Sequence, residues 1–235
     1  MKSLRNRRRL VFAVVVVIGG GWLAYTAIPD RFGEPAASGS TSASKPALQS
    51  SPPTTLKGLS WQDFHGIQLP HAPDDGPRLL RNDLAEGFTR TPRGALLAAV
   101  HIVVRANAQW GPKVFEPTIA HQVTGPDAKA LLKLVGETYN DQQERARLSY
   151  GAPLGRGHVV IEGFRWLGYT PEAASLDLVS AGPGESDVTV RAATRIQVQW
   201  HDGDWRVLAP IDGTWGGSAA PIKSPDGYTA LQGGS

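Results

Sequence analysis

The stretch GFTRTPRGALLAAVHIVVR, residues 87–105, decides how this chain is built. Thr91 is a good helix N-cap and Pro92 falls at the first helical position, where its missing N–H is not needed. Leu96, Leu97, Val100, Val103 and Val104 then recur at helical spacing and define one apolar face. His101 and Arg105 lie four apart on another face. Asn107, Gln109 and Gly111-Pro112 end the helix. The run is too short and too polar on one side to cross a bilayer. It reads as the core-facing first helix of a globular domain. Gly94, Ala95, Ala98 and Ala99 are small and let a neighbour approach closely, with the segment at residues 61–77 as the expected occupant.

The span expected to cross a membrane lies earlier. Residues 10–28, LVFAVVVVIGGGWLAYTAI, carry no charge. As a helix they extend roughly 28 Å, close to the hydrocarbon thickness of a bilayer. Leu10, Val14, Val17, Trp22 and Ile28 sample the anchor, and Trp22 sits toward its outer end, where interface aromatics belong. Lys2, Arg5, Arg7, Arg8 and Arg9 precede it, while the first acids, Asp30 and Glu34, follow. The positive-inside rule places the N-terminus in the cytoplasm and the remainder outside the cell membrane, as a single-pass protein. The competing reading is a cleaved signal peptide, for which the apolar run is long and Ala24-Tyr25-Thr26 is a poor cleavage site. Both readings export the rest of the chain.

Charge and composition narrow the class. The chain has 235 residues and no cysteine, so no disulfide, thiolate metal site or cysteine nucleophile is available. Six tryptophans, at 61, 110, 166, 200, 205 and 215, lie beyond the apolar span and supply core material. The pI of about 9.3 misleads. Five of the 24 basic residues precede Asp30, which leaves 19 against all 21 acids in the exported part. Charge gives no indication of direct nucleic-acid binding.

The domain plan follows. Residues 1–9 form a basic cytoplasmic tail and residues 10–28 a transmembrane helix. Residues 29–57, rich in Ser, Pro, Ala, Gly and Thr, read as a disordered spacer. Residues 58–212 are the exported domain, and residues 213–235 a Gly/Ser/Pro-rich tail that Ile222 and Tyr228 are placed to pin to the body. Within the domain, residues 61–77 read as irregular chain lying across the surface, because Pro70, Pro73 and Pro77 exclude a long helix. A short helix is expected at 116–122. A longer one is expected at 127–148, burying Leu131, Leu134, Val135, Thr138 and Tyr139. From Gly157 the period becomes two. Strands are expected at 158–169, with a bulge at Gly163, and at 173–179, 188–200 and 205–209, the last two joined by an Asp-Gly hairpin turn. Helices first and a meander afterwards predict an α+β fold, helices packed on a curved antiparallel sheet.

A search for chemistry finds no catalytic, cofactor-binding or metal-binding residue set. There is no phosphate-binding glycine loop and no nucleophile elbow. The six histidines have no metal-ligand spacing. His65 and His71 near Asp74 and Asp75 read as a polar loop. Glu137 and Asp141 share a helix face, as exposed carboxylates commonly do. His101, Arg105 and Tyr139 are the candidates for a pocket. Arg191 and Arg195 share one sheet face, by default solvated and alternatively a docking face.

WQDFHGIQLP (61–70), GP (76–77), GFTRTPRGALLAA (87–99), VFEPTIAHQVTGPDA (114–128) and VQWHDGDWRVLAPIDG (198–213) resemble a group of membrane-anchored proteins. The group occurs in integrative conjugative elements and plasmids of high-GC Gram-positive bacteria, and the resemblance covers residues 58–230. The element order is also similar to the nuclear-transport-factor-like (cystatin-like) fold of VirB-type type IV secretion assembly factors. The resemblance implies a non-enzymatic scaffold of a conjugative apparatus with no cofactor, whose partners are copies of itself or other channel subunits. The residues 61–77 prelude departs from the minimal fold. The alternative is an exported small-molecule-binding or enzymatic domain of the same fold, with His101 or Tyr139 lining a pocket between helix and sheet.

Overall fold

A computed structural model describes residues 52–81, 83–184 and 188–231. It is an α+β structure in which three helices pack on a mixed sheet. Two hairpins come first, β1 (Ser60–Phe64) with β2 (Ile67–His71) and β3 (Leu79–Arg81) with β4 (Leu84–Glu86). The helices α1 (Pro92–Arg105) and α2 (Pro112–Gln122), the short strand β5 (Val123–Thr124) and α3 (Ala128–Ala146) follow. The meander consists of β6 (Val160–Tyr169), β7 (Ala173–Pro183), β8 (Thr189–His201) and β9 (Asp204–Leu208). Two more strands, β10 (Ala219–Ile222) and β11 (Thr229–Ala230), close the described chain.

The opening helix forms as its sequence dictates. Thr91 caps it, its hydroxyl accepting from Gly94 N at 3.0 Å, and Pro92 begins it. Its burial goes further than one apolar face: every residue from Gly94 to Arg105 is buried. The helix touches β7, β8 and β9 of the sheet and also β2 and β4 of the hairpins. The polar flank expected at His101 and Arg105 is therefore covered, because the chain before the helix folds into hairpins against it. Gly94 permits the tightest approach, since a Cβ there would lie 2.0 Å from Thr89 O. The close neighbour at Gly94 is thus the helix's own lead-in, while β2 from the prelude packs elsewhere along α1.

The large sheet runs β11-β6-β7-β8-β9-β5, with β10 also paired to β8. The β6–β9 meander is antiparallel throughout. Asp202 and Gly203 join β8 to β9 with φ of 49° and 82°, the left-handed pair that a two-residue hairpin demands. The register of β6 shifts between Ile161 and Gly163, at the expected bulge, and again between Trp166 and Gly168. The sheet is mixed where a purely antiparallel one was expected. The chain leaves α2 already extended, and β5 pairs parallel to β9, Val123 opposite Val207.

Four segments differ from the sequence reading. Residues 61–77 contain an ordered hairpin, turned by His65 and Gly66 in left-handed backbone. Gly111-Pro112 starts α2 besides ending the preceding turn, so α2 begins four residues earlier than expected. The C-terminal segment, expected as a tail pinned at Ile222 and Tyr228, is pinned there, Ile222 opposite Arg191 and Tyr228 against Arg165, and beyond that is part of the body. Ala219 pairs with Thr194, Thr229 with Phe164, and Trp215 and Leu231 are buried. The end of the expected spacer is docked as well: Pro52 is buried and Trp166 Nε1 donates to Thr54 Oγ1 at 2.9 Å.

Between helices and sheet the interior is filled by Trp205, Tyr139, Phe115, Phe164, Leu96, Leu131 and Leu176, each under 2 % exposed. Among the described residues no helix is long and apolar enough to cross a membrane. The expected anchor at Leu10, Val14, Val17, Trp22 and Ile28, and the flanking Arg7, Arg8 and Arg9, lie outside the described residues.

Candidate functional site

His101 and Arg105 come together as their spacing requires, one turn apart, and both are buried, at 0 % and 4 % exposure. Arg105 Nη1 donates to His101 Nδ1 at 2.9 Å. A guanidinium nitrogen can only donate, so Nδ1 is an acceptor, and His101 Nε2 then carries the proton that it donates to Pro70 O at 2.7 Å. The ring is locked in one neutral tautomer. Burial, reinforced by the Arg105 charge, pushes its pKa down to about 3. His101 is thus a structural hydrogen-bond relay with its lone pair already engaged, a poor general base. Burial also lowers Arg105, to about 10. Its Nε donates to Asp83 O at 2.9 Å, and its guanidinium carbon lies 4.2 Å from the centre of the Phe64 ring.

This pair forms the floor of a cleft of about 360 Å³ between α1 and the two hairpins. Gln62, Asp63 and Phe64 of β1, Leu69 of β2, and Leu80 and Asp83 of the second hairpin make its walls. The cleft lies among the hairpins, away from the filled helix–sheet interior. Sequence reasoning placed His101 and Arg105 at a possible pocket but missed Phe64, Asp83 and the Pro70 carbonyl. A signal was present. His101 and Arg105 sit in a helix otherwise apolar after Arg93, so partners for both had to come from another segment.

The other candidates do not join this site. Tyr139 is core: its hydroxyl donates to Ala152 O at 2.9 Å and accepts from Gly151 N at 2.8 Å, closing the loop after α3. Arg191 and Arg195 share the sheet face turned away from α1, as their spacing predicts. Arg191 grips Glu162 through Nε at 2.8 Å and Nη2 at 3.1 Å. Arg195 and Arg165 both donate to Asp177, at 3.2 and 2.9 Å. Asp177 is 7 % exposed at its side chain while the two arginines are about half exposed. Tyr228 from the C-terminal segment lies against Arg165, 4.6 Å from ring centre to guanidinium carbon. This face is an ion-paired plane carrying both signs of charge.

His65, His71, Asp74 and Asp75 do not converge. His65 stacks on Trp110, and His71 meets Ser60. Asp75 accepts from Thr89, Thr91 and Arg93, ahead of the first helical turn. Burial alone would raise Asp75, but those three donors outweigh it and hold its pKa below the usual value. Asp204 makes a second clamp that sequence reasoning missed. It accepts from the backbone N–H groups of Gly87, Phe88 and Trp205 at 2.8, 3.1 and 2.9 Å. Its burial nevertheless raises its pKa. Trp205 Nε1 donates to Thr89 O at 2.8 Å, so β9 holds the lead-in to α1 from two sides. Among the described residues no three His, Asp or Glu side chains are grouped as metal ligands.

A family model described as a domain of unknown function, DUF8175, matches residues 26–230. No curated protein and no solved structure matches the chain. With the match running from before the spacer through β11, the chain belongs to the DUF8175 family, domain of unknown function.

Proposed function

We propose that this protein is a non-enzymatic, membrane-anchored scaffold of a conjugative transfer apparatus of the type IV secretion kind. Its N-terminus is cytoplasmic and its DUF8175 domain stands outside the membrane. The observation that carries the reading is the packing between helices and sheet, where Trp205, Tyr139, Phe115 and Leu131 are buried in the region that a ligand-binding or catalytic relative of a nuclear-transport-factor-like fold keeps as a cone-shaped pocket. The order of helices before a meander, with helices on one face, supports that likeness of fold, and the charge-free run with its basic flank supports the tether.

A scaffold works through its surfaces. The outward sheet face bears Glu162, Arg191, Asp177, Arg195 and Arg165, each ion-paired to a partner across strands. It carries both signs, so two copies related by a two-fold axis can exchange ion pairs. A second copy of the chain is the proposed occupant, and tethering both copies to one membrane raises their effective concentration. Deleting the gene from its element and measuring transfer tests the proposal. Transfer falling to background, with restoration by the intact chain, is expected. Normal transfer and normal assembly of the apparatus would refute it.

A further inference from the structure

Arg105 is a buried cation that no described carboxylate contacts directly. Its Nε and Nη1 are spent on neutral acceptors, Asp83 O and His101. No carboxylate lies within 4.0 Å of its nitrogens among the described residues, although Asp83 is near enough to favour its charge. Nη2 has no hydrogen-bond partner among the described residues. It is not sealed in either, because Gln122 Oε1 is the one fully buried side-chain polar atom found without a partner there. Nη2 therefore meets accessible space, and the cleft is the space that Arg105 lines. Buried charges are ordinarily paired, so a guanidinium with one edge turned to an open cleft is a recognition element awaiting an acceptor.

We propose that the cleft binds a small organic monocarboxylate with an apolar body, the carboxylate on Arg105 Nη2 and the body between Phe64, Leu69 and Leu80. A single N–H edge suits a single carboxylate. Asp63 and Asp83 at the walls repel any anion, and a doubly charged one such as phosphate about twice as strongly as a single carboxylate. The volume of about 360 Å³ is at the small end of ligand sites. Leu80, half exposed, closes one side of the mouth. The carboxylate can belong to a free metabolite or to the C-terminus of a peptide, and the site is independent of the apparatus in which the protein serves.

The test uses the full chain in detergent micelles and follows the Arg105 Nε–H resonance by NMR. The probes are 4-methylpentanoate, its amide, acetyl-alanyl-leucine with an unblocked C-terminus, and inorganic phosphate. A saturable shift with 4-methylpentanoate, and at least about tenfold weaker binding of the amide and of phosphate, is expected. Tighter binding of the dipeptide identifies a peptide terminus as the source, and tighter binding of 4-methylpentanoate a free acid. Leu80→Glu, an exposed substitution that leaves the core untouched, sets a negative charge at the mouth and weakens either carboxylate by at least about tenfold. Arg105→Lys does the same where it folds. No saturable shift, equal binding of acid and amide, phosphate binding as tight as the carboxylates, or carboxylate binding unchanged by Leu80→Glu would each overturn the proposal.

Discussion

His101 shows how a single buried residue sets a measurable property. An unfolded chain protonates it near pH 6.5, and the folded chain only at about 3. Between those values the unfolded state binds more protons, so stability is full above pH 6.5 and falls as pH drops, by about 1.4 kcal/mol per unit. Urea unfolding at pH 7 and pH 5 is expected to show the wild type losing about 2 kcal/mol more than His101→Gln, which has no proton to take up. Equal losses would mean that His101 is not held neutral. Removing its partner has a different signature. Arg105→Met leaves Nδ1 without a donor and is expected to lower stability by about 1–3 kcal/mol at pH 7, read from the same denaturant curves. The pair itself was legible in the sequence as an i, i+4 couple on an apolar helix. Its partners were not, because Pro70 and Asp83 lie 31 and 22 residues upstream in hairpins whose docking no local pattern encodes.

At the scale of elements, α1 depends on its lead-in. A methyl at position 94 would overlap Thr89 O, and neither the cap nor the helix can yield without disturbing the Asp75 and Trp205 contacts. Gly94→Ala is expected to destabilise by about 1–3 kcal/mol, measured as a fall in Tm with the fold retained. The C-terminal segment is equally integral. Truncation after Gly213 removes Trp215 and Leu231 from the core and strips β10 and β11 from the sheet. A loss of about 3–6 kcal/mol is expected from the two apolar side chains alone. The elements that were legible carry local signals: Thr91-Pro92 for α1, Asp202-Gly203 for the β8–β9 turn, Leu131, Val135 and Tyr139 at helical spacing for α3. β10 and β11 carry none. Ala, Pro, Gly and Ser dominate that segment, and they become strands because β8 and β6 offer open hydrogen-bonding edges. β5 is similar, two residues made into a strand by the edge of β9.

At the scale of the whole molecule the described residues form helices packed on one sheet, with an outward sheet face and a cleft among the hairpins. The central claim is that the face away from the helices docks a second copy. Gln197 is exposed on that face, two residues from Arg195 along β8. The most direct measurement places a photo-crosslinking amino acid at position 197 in the full chain, irradiates intact cells and sizes the adducts. A species at twice the chain's mass is expected, weakened several-fold when Arg191 and Arg195 are both replaced by Glu, because charge reversal breaks the pairing between copies. Transfer proceeding normally with no adduct at position 197, or an adduct indifferent to the double replacement, would contradict the account.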